Sequence, residues 1–225
     1  MTLVRPLLLA AVLPLFGGCQ WLDVSHGDAA PQALSGQSRM QGSLTAEGGH
    51  LLFTPCESPR TFIVTDAGGT GVLQEATTLA SLGKPLYADV RGRFDGNSVE
   101  GQPGQLALQG LNRVESASQE CQNKNYKLMQ FYADGHGPNW VARANAQGLL
   151  IEREGQPPLA VPYVEEQAPG GGVSLASDAN HQHIQLWLAP QRCESGPRVS
   201  FLSAELRIGD QVLRGCGYPG GAREQ

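Results

Sequence analysis

The chain has 225 residues, and its 16 Lys and Arg against 21 Asp and Glu give a formal net charge of −5. This modest acidity argues against nucleic-acid or anionic-lipid binding through a basic patch. Glycine and proline are frequent (29 and 15 residues) while aromatic residues make up only 6%, which favours many short strands and turns over a helical bundle. The length predicts one or two domains.

The N-terminal segment predicts secretion. Arg5 precedes an apolar run from Leu7 to Phe16, and Pro14 interrupts this run. About ten apolar residues are typical of a signal peptide, whereas a transmembrane helix needs roughly 20. A membrane span is therefore disfavoured.

Two small residues, Gly17 and Gly18, stand directly before Cys19. This arrangement resembles the bacterial lipoprotein signal, which implies that residues 1–18 are removed and that Cys19 carries lipid. Two or more acyl chains anchor a protein stably to a membrane. Gln20 follows the cysteine, and by resemblance to enterobacterial sorting it favours the outer membrane, on the periplasmic side. The alternative is an ordinary signal peptide with a chance cysteine.

Four cysteines remain besides Cys19: Cys56, Cys121, Cys193 and Cys216. An even number in an oxidising compartment predicts disulfides. Of the three possible connectivities, we favour the one local to each half of the chain, Cys56–Cys121 and Cys193–Cys216. The spacing is nowhere C-x-x-C, which disfavours a redox motif or a zinc knuckle.

Residues 19–38 predict a lipidated cysteine and a polar tether, and residues 39–118 a small OB-like barrel. "GSLTAEGGHLLFTPC" predicts a hairpin around Glu47–Gly48–Gly49, and "RTFIVTD" a short strand. "PLYADVRGRF" alternates, which predicts a half-buried strand with Tyr87 and Asp89 on its polar face. "GQLALQGLNRVES" predicts the last strand of the barrel.

The stretch "TGVLQEATTLASLGKP" predicts the one helix of this half. Its apolar face would contain Leu73, Ala76, Leu79 and Ala80, with a stop at Gly83 and Pro85. The preceding "DAGGTGVLQ" follows a strand and opens a helix, as a phosphate-binding loop does. It lacks the third glycine of G-x-G-x-x-G and has no Gly-Lys-Ser/Thr, so nucleotide binding is not expected.

Residues 119–220 predict an antiparallel, curled β-sheet domain, followed by a tail at 221–225. Short alternating segments separated by glycine-rich turns run from "YKLMQFYADG" to "QVLRGCGYP". The fold class predicted for the whole chain is therefore all-β with one short helix.

Few residues suggest chemistry. His181 and His183 would share one face of a strand and are weak candidates for copper or zinc ligands, but no third ligand is evident. Trp140 is expected in the core, with a partner-binding surface position as the alternative. No G-x-S-x-G occurs, and the adjacent Glu165 and Glu166 would point to opposite faces of a strand. We therefore expect no catalytic residues, no enzymatic activity and no cofactor beyond the lipid.

The first half, with "LLFTPCESPRTFIVTD", "LQEATTL" and "GKPLYADVRGRF", resembles a domain of the NlpE-like copper-homeostasis and envelope-stress lipoproteins. The resemblance covers about 80 residues and implies an OB-type barrel. The C-x-x-C segment of that family is missing here.

The second half resembles an uncharacterised family of bacterial envelope proteins. "GHGPNW" stands for its G-N-E-P-x-W segment, and Cys193 with the terminal "GCG" for its late cysteine pair. The resemblance implies an envelope β-domain without an established active site.

These observations predict a non-catalytic binding or envelope-homeostasis lipoprotein. Its expected partners are the membrane, through the lipid, and an envelope protein, with neither nucleic acid nor nucleotide. The alternatives are a protein inhibitor of an envelope hydrolase such as lysozyme, and a copper-handling or envelope-stress protein.

Overall fold

The computed structural model describes residues 37–80, 86–95, 103–116, 120–179 and 181–223, without the side chains of Ala80 and Asp95. The predicted signal peptide, Cys19 and almost all of the predicted tether lie outside these ranges, as does the predicted boundary near residue 118.

The first half contains five strands and one helix. They are β1 (Ser38–Glu47), β2 (His50–Pro55), β3 (Phe62–Asp66), α1 (Val72–Ala80), β4 (Leu86–Asp95) and β5 (Gly104–Ser116). The predicted hairpin between β1 and β2 is confirmed, because Glu47 pairs with His50 across Gly48 and Gly49. Both glycines have positive φ angles (58° and 80°), a conformation that glycine adopts without a steric cost.

These five strands close into a barrel. β1 pairs with β2 and β4, β2 pairs with β3, β4 pairs with β5, and β3 closes the ring through a parallel pairing with β5. The interior is apolar and includes Leu44, Phe53, Val64, Val90, Leu106 and Leu108. The small barrel predicted for this half is confirmed, with the helix between β3 and β4.

Helix α1 starts where Asp66 accepts hydrogen bonds from the backbone N–H groups of Thr70 and Gly71, at 2.8 and 2.9 Å. Its buried stripe is formed by Val72, Ala76 and Leu79, so the stripe begins one residue earlier than predicted. The placement of Leu73 on the buried face is wrong, since this side chain is half-exposed. The predicted stop at Gly83 and Pro85 lies outside the described residues.

The prediction of a half-buried β4 is also wrong for its first part. Tyr87 and Asp89 lie on the outer face of the barrel, yet they are 3% and 0% exposed. Residues from the second half of the chain cover them, as described below.

The second half contains nine strands: β6 (Met129–Gly135), β7 (Trp140–Asn145), β8 (Gly148–Arg153), β9 (Leu159–Val161), β10 (Val164–Ala168), β11 (Gly172–Ala179), β12 (Gln182–Ser195), β13 (Arg198–Ile208) and β14 (Gln211–Pro219). They form one antiparallel sheet in the order β10-β11-β12-β13-β14-β6-β7-β8-β9. Its core includes Leu149, Ile151, Leu175, Leu186 and Leu206.

This sheet is curled. Its two end strands, β9 and β10, are separated by only Pro162 and Tyr163, a link that spans about 11 Å at most. Nine flat strands would hold these edges roughly 38 Å apart. In addition, the Tyr163 hydroxyl donates to the carbonyl oxygen of Asn145 in β7 at 3.2 Å. The predicted antiparallel, curled sheet is confirmed.

Strand β13 belongs to both sheets. One of its edges pairs with β12, while the other pairs first with β5, through Arg198–Ser200, and then with β14, through Leu202–Ile208. The described residues of the predicted tail form a short 3₁₀ turn, Gly221–Arg223. From this turn Arg223 donates to Glu165 at 2.8 Å.

The favoured cysteine pairing is confirmed. Cys56 is bonded to Cys121 and Cys193 to Cys216, with Cα–Cα distances of 5.3 and 5.5 Å. Cys193–Cys216 lies within the second half, whereas Cys56–Cys121 joins the first half to a residue just beyond the predicted boundary at residue 118.

Candidate functional site

The two histidines considered as metal ligands lie at the β11–β12 hairpin. His181 is in the turn, with φ at 60°, so the premise that both lie on one strand is wrong. His183 is the second residue of β12, and its Nδ1 lies 2.8 Å from Oδ1 of Asp178. Within the ranges that the structure describes, no three His, Cys, Asp or Glu side chains form a group that could hold a metal ion.

Trp140, the weak candidate for partner binding, is 2% exposed and packs in the core of the second half. Its indole Nε1 donates to the backbone oxygen of Arg214 at 3.4 Å. The core interpretation is therefore confirmed, and the surface alternative is wrong.

The outer face of the barrel carries a buried polar network that the sequence did not predict. We call it the junction cluster; it comprises Arg39, Tyr87, Asp89, Arg113, Glu115, Glu120, Tyr126 and Tyr218. Strand pairing places Asp89 beside Arg113 and Tyr87 beside Glu115. Tyr126 and Tyr218 cover them from the second half.

Asp89 is the centre of one side of this cluster. Arg39 donates to both of its carboxylate oxygens, at 2.8 and 2.5 Å, and the Tyr126 hydroxyl donates to it at 2.6 Å. Asn112 adds a fourth donor at 3.0 Å. Such a bidentate, buried arginine–carboxylate pair fixes geometry strongly.

Arg113 is the centre of the other side and is 1% exposed. Its guanidinium carbon lies 4.7 Å from the ring centroid of Tyr87 and 4.0 Å from that of Tyr218. It donates to Glu115 at 2.8 Å and to Glu120 at 3.0 Å. The cation thus combines ion pairs with stacking on aromatic faces.

Burial changes the acid–base behaviour of this cluster. It raises the pKa of Tyr87 to about 12 and is also the main cause of the raised pKa of Tyr126 and Tyr218. Burial likewise raises the pKa of Glu115, although Arg113 opposes this effect. The three phenols and the Glu115 carboxyl are thus shifted towards their neutral forms, as desolvation requires.

A cleft of about 490 Å³ opens beside the junction cluster and the Cys56–Cys121 disulfide. We call it the junction cleft. Its polar lining includes Arg39, Gln41, Glu57, Glu120, Tyr126 and Lys127. Lys127 donates to Glu57 at 2.9 Å, and these two side chains are 76% and 82% exposed. The cleft therefore presents both charge signs to a ligand.

A second polar network lies at the β6–β7 turn. We call it the turn relay; it comprises Glu154, Asn139, His136 and Ser195. Asn139 Nδ2 donates to Glu154 at 3.0 Å, His136 Nδ1 lies 3.2 Å from Asn139 Oδ1, and His136 Nε2 lies 3.3 Å from Ser195 Oγ. His136 and Asn139 are exposed, whereas Ser195 is 8% exposed.

Ser195 is held in place by its surroundings. It is the last residue of β12, two residues after Cys193, whose disulfide ties this strand to β14. Its Oγ also lies 3.4 Å from Oδ1 of Asp134, a carboxylate that pairs with Arg198.

Sequence reasoning missed both networks. It did not relate His136 to Ser195, which lies 59 positions away. Asp89 and Tyr126 are likewise 37 positions apart. Local patterns carry no signal for such pairs, because they depend on how distant strands meet.

No protein-family model, curated protein or solved structure was found to match this chain. Over the residues that the structure describes, no helix combines the length and the apolar character needed to cross a bilayer.

Proposed function

We propose that this chain is a lipid-anchored protein of the outer membrane that faces the periplasm and acts as a binding module in envelope homeostasis. The observation that carries the proposal is the pairing of all four cysteines of the described fold into two disulfides. Such bonds form and persist in oxidising compartments such as the periplasm. Neither bond uses Cys19, which remains for lipid.

The junction cleft is the proposed binding site. Its two cations, Arg39 and Lys127, are balanced by two acids, Glu57 and Glu120. This mixture favours a partner with both charge signs, such as a loop of an envelope protein, over a uniformly charged polymer. The closed barrel with a helix between β3 and β4 agrees with the architecture implied by the resemblance to NlpE-like lipoproteins, which supports a role in envelope homeostasis.

The anchor is tested by mass spectrometry of the membrane fraction. We expect acylated Cys19 as the N-terminal residue, and loss of membrane association in a Cys19→Ser variant. Ser25→Ala changes the same N-terminal region without removing the thiol and serves as the matched control. A soluble mature protein that begins at another residue would refute the anchor.

The binding site is tested by photo-crosslinking in intact cells. A crosslinker at position 127, in the junction cleft, is compared with one at Gln147, an exposed residue in the β7–β8 turn. We expect an adduct from position 127 alone, which an excess of the soluble 20–225 fragment, expressed in the periplasm of the same cells, abolishes. Equal adducts from both positions would contradict the cleft. The same fragment in a lysozyme assay tests the inhibitor alternative.

A further inference from the structure

We propose that Ser195 is a nucleophile that His136 activates as a base, in a site that accepts the acyl group of a small carboxylic ester. This inference goes beyond the proposed function and is independent of it, because no residue of the turn relay lines the junction cleft.

Hydrogen bonding fixes the orientation of the relay. An ionised glutamate only accepts hydrogen bonds, so the Asn139 amide must direct its Nδ2 to Glu154 and its Oδ1 to His136. Because this oxygen can only accept a hydrogen bond, the imidazole must carry its proton on Nδ1. The unprotonated Nε2 then faces the Ser195 hydroxyl at 3.3 Å.

The resulting order of groups is that of an activated hydroxyl nucleophile: a hydroxyl, a base that can take its proton, and a third group that orients the base. The Ser195–His136 distance slightly exceeds the usual range of 2.6–3.2 Å, as such distances often do without substrate. The hydroxyl proton has a second acceptor, because Ser195 Oγ donates to Oδ1 of Asp134 at 3.4 Å, an oxygen that also accepts from Arg198. Activation requires the hydroxyl to turn its proton to His136 Nε2, which is the nearer of the two acceptors at 3.3 Å.

A cationic group also lies on this face. Arg198 is directly opposite Ser195 in the β12–β13 register, so both side chains point to the same side. Its Nε–H has no hydrogen-bond partner among the described residues, although it is buried. A positive donor beside the nucleophile would stabilise the negative charge that develops on an attacked carbonyl oxygen.

The chemistry balances with water as the only co-reactant. Ser195 Oγ bonds to the ester carbonyl carbon, and its proton passes to His136 Nε2. The bond from this carbon to the alcohol oxygen breaks, and the departing oxygen takes the proton. Water then attacks the acyl-serine in the same manner, which releases the acid and restores Ser195.

The limited exposure of Ser195 restricts the substrate to small esters. His136 and Asp134 line a cavity of about 260 Å³ beside the turn, and Ser195, which is 8% exposed, lies 3.3 Å from Nε2 of His136. A small reagent is therefore the appropriate probe.

The test uses diisopropyl fluorophosphate on the folded, disulfide-bonded 20–225 protein, with the adduct located by mass spectrometry. The Ser195 oxygen bonds to phosphorus, fluoride leaves, and the serine proton passes to His136. We expect one adduct, on Ser195. A Ser195→Ala variant should give none, and His136→Gln should react about 10²-fold more slowly, the usual minimum for a lost base.

Two control variants are matched to these changes. His50→Gln removes an exposed histidine at the β1–β2 hairpin, and Ser203→Ala removes a serine of β13; both should react as the original protein does. No adduct on the folded protein, or an adduct whose rate is unchanged in His136→Gln, would overturn the proposal. A thermal melt of each variant shows that the comparison is made between folded proteins.

Discussion

The junction cluster and the turn relay are both networks of polar side chains, but they differ in burial. Asp89 and Arg113 are 0% and 1% exposed, and their charges are met by several partners inside the protein. In the turn relay, His136 and Asn139 are exposed, and one chain of hydrogen bonds runs from Glu154 to the Ser195 hydroxyl, which also donates to Asp134. The comparison indicates that the cluster maintains the fold, whereas the relay contributes little to stability and is available for chemistry.

The largest effect is expected from Asp89→Ala. Arg39, whose side chain is 2% exposed, would lose the carboxylate to which it donates at 2.8 and 2.5 Å. Breaking one partner of a buried ion pair costs about 3–5 kcal/mol, measured as the free energy of unfolding in urea. Glu152→Ala, which breaks the exposed pair with Arg143, should cost at most about 1 kcal/mol. If Asp89→Ala and Glu152→Ala lowered the free energy of unfolding by the same amount, the junction cluster would not be structural.

Alkaline pH should weaken the junction cluster gradually. The pKa of Tyr87 is about 12 in the folded protein, against about 10 in an unfolded chain. Between these values the folded state binds more protons, so stability is complete below pH 10 and falls as the pH rises. Each such phenol contributes about 1.4 kcal/mol per pH unit.

Urea unfolding at pH 9, 10 and 11 measures this loss. Tyr126 and Tyr218, whose pKa values are also raised, add to the decline. Tyr87→Phe removes the contribution of one phenol, so its stability should fall less steeply above pH 10. An identical decline in this variant would contradict the assigned role of Tyr87.

The smallest effect is expected from Ser195→Ala. This variant loses two long contacts of one hydroxyl, to His136 at 3.3 Å and to Asp134 at 3.4 Å, and a hydrogen bond contributes about 0.5–1.5 kcal/mol. His136→Gln should behave similarly, because the histidine is exposed. If either change cost as much as Asp89→Ala, the turn relay would be structural and the contrast between the two networks would disappear.

Local sequence patterns predicted the strands, the barrel, the curled sheet and the disulfides, because alternation, turn glycines and cysteine spacing are local or nearly local signals. They failed at β4, where the polar residues Tyr87 and Asp89 suggested a solvent-facing side. Tyr126 and Tyr218 cover that side. The sequence around residue 88 gives no sign that these distant side chains pack there.

The helix shows a smaller failure of the same kind. The predicted apolar face began at Leu73, whereas the packing against the barrel buries Val72 and leaves Leu73 half-exposed. The motif G-x-S-x-G describes a serine at the start of a helix, whereas Ser195 ends a strand of an antiparallel sheet. The absence of this motif therefore gave no information about the turn relay. The expectation of no catalytic residues therefore stays a prediction, and labelling of Ser195 tests it.

The shared edge of β13 limits the modularity of this protein. If the chain were divided near residue 118, the backbone N–H and C=O groups of Arg198–Ser200 would lose their partners in β5. The second fragment would then carry an open strand edge, which attracts other chains and promotes aggregation. A half that was exchanged between related proteins would have to keep a matching β5–β13 pairing. The two halves are therefore expected to be inherited together.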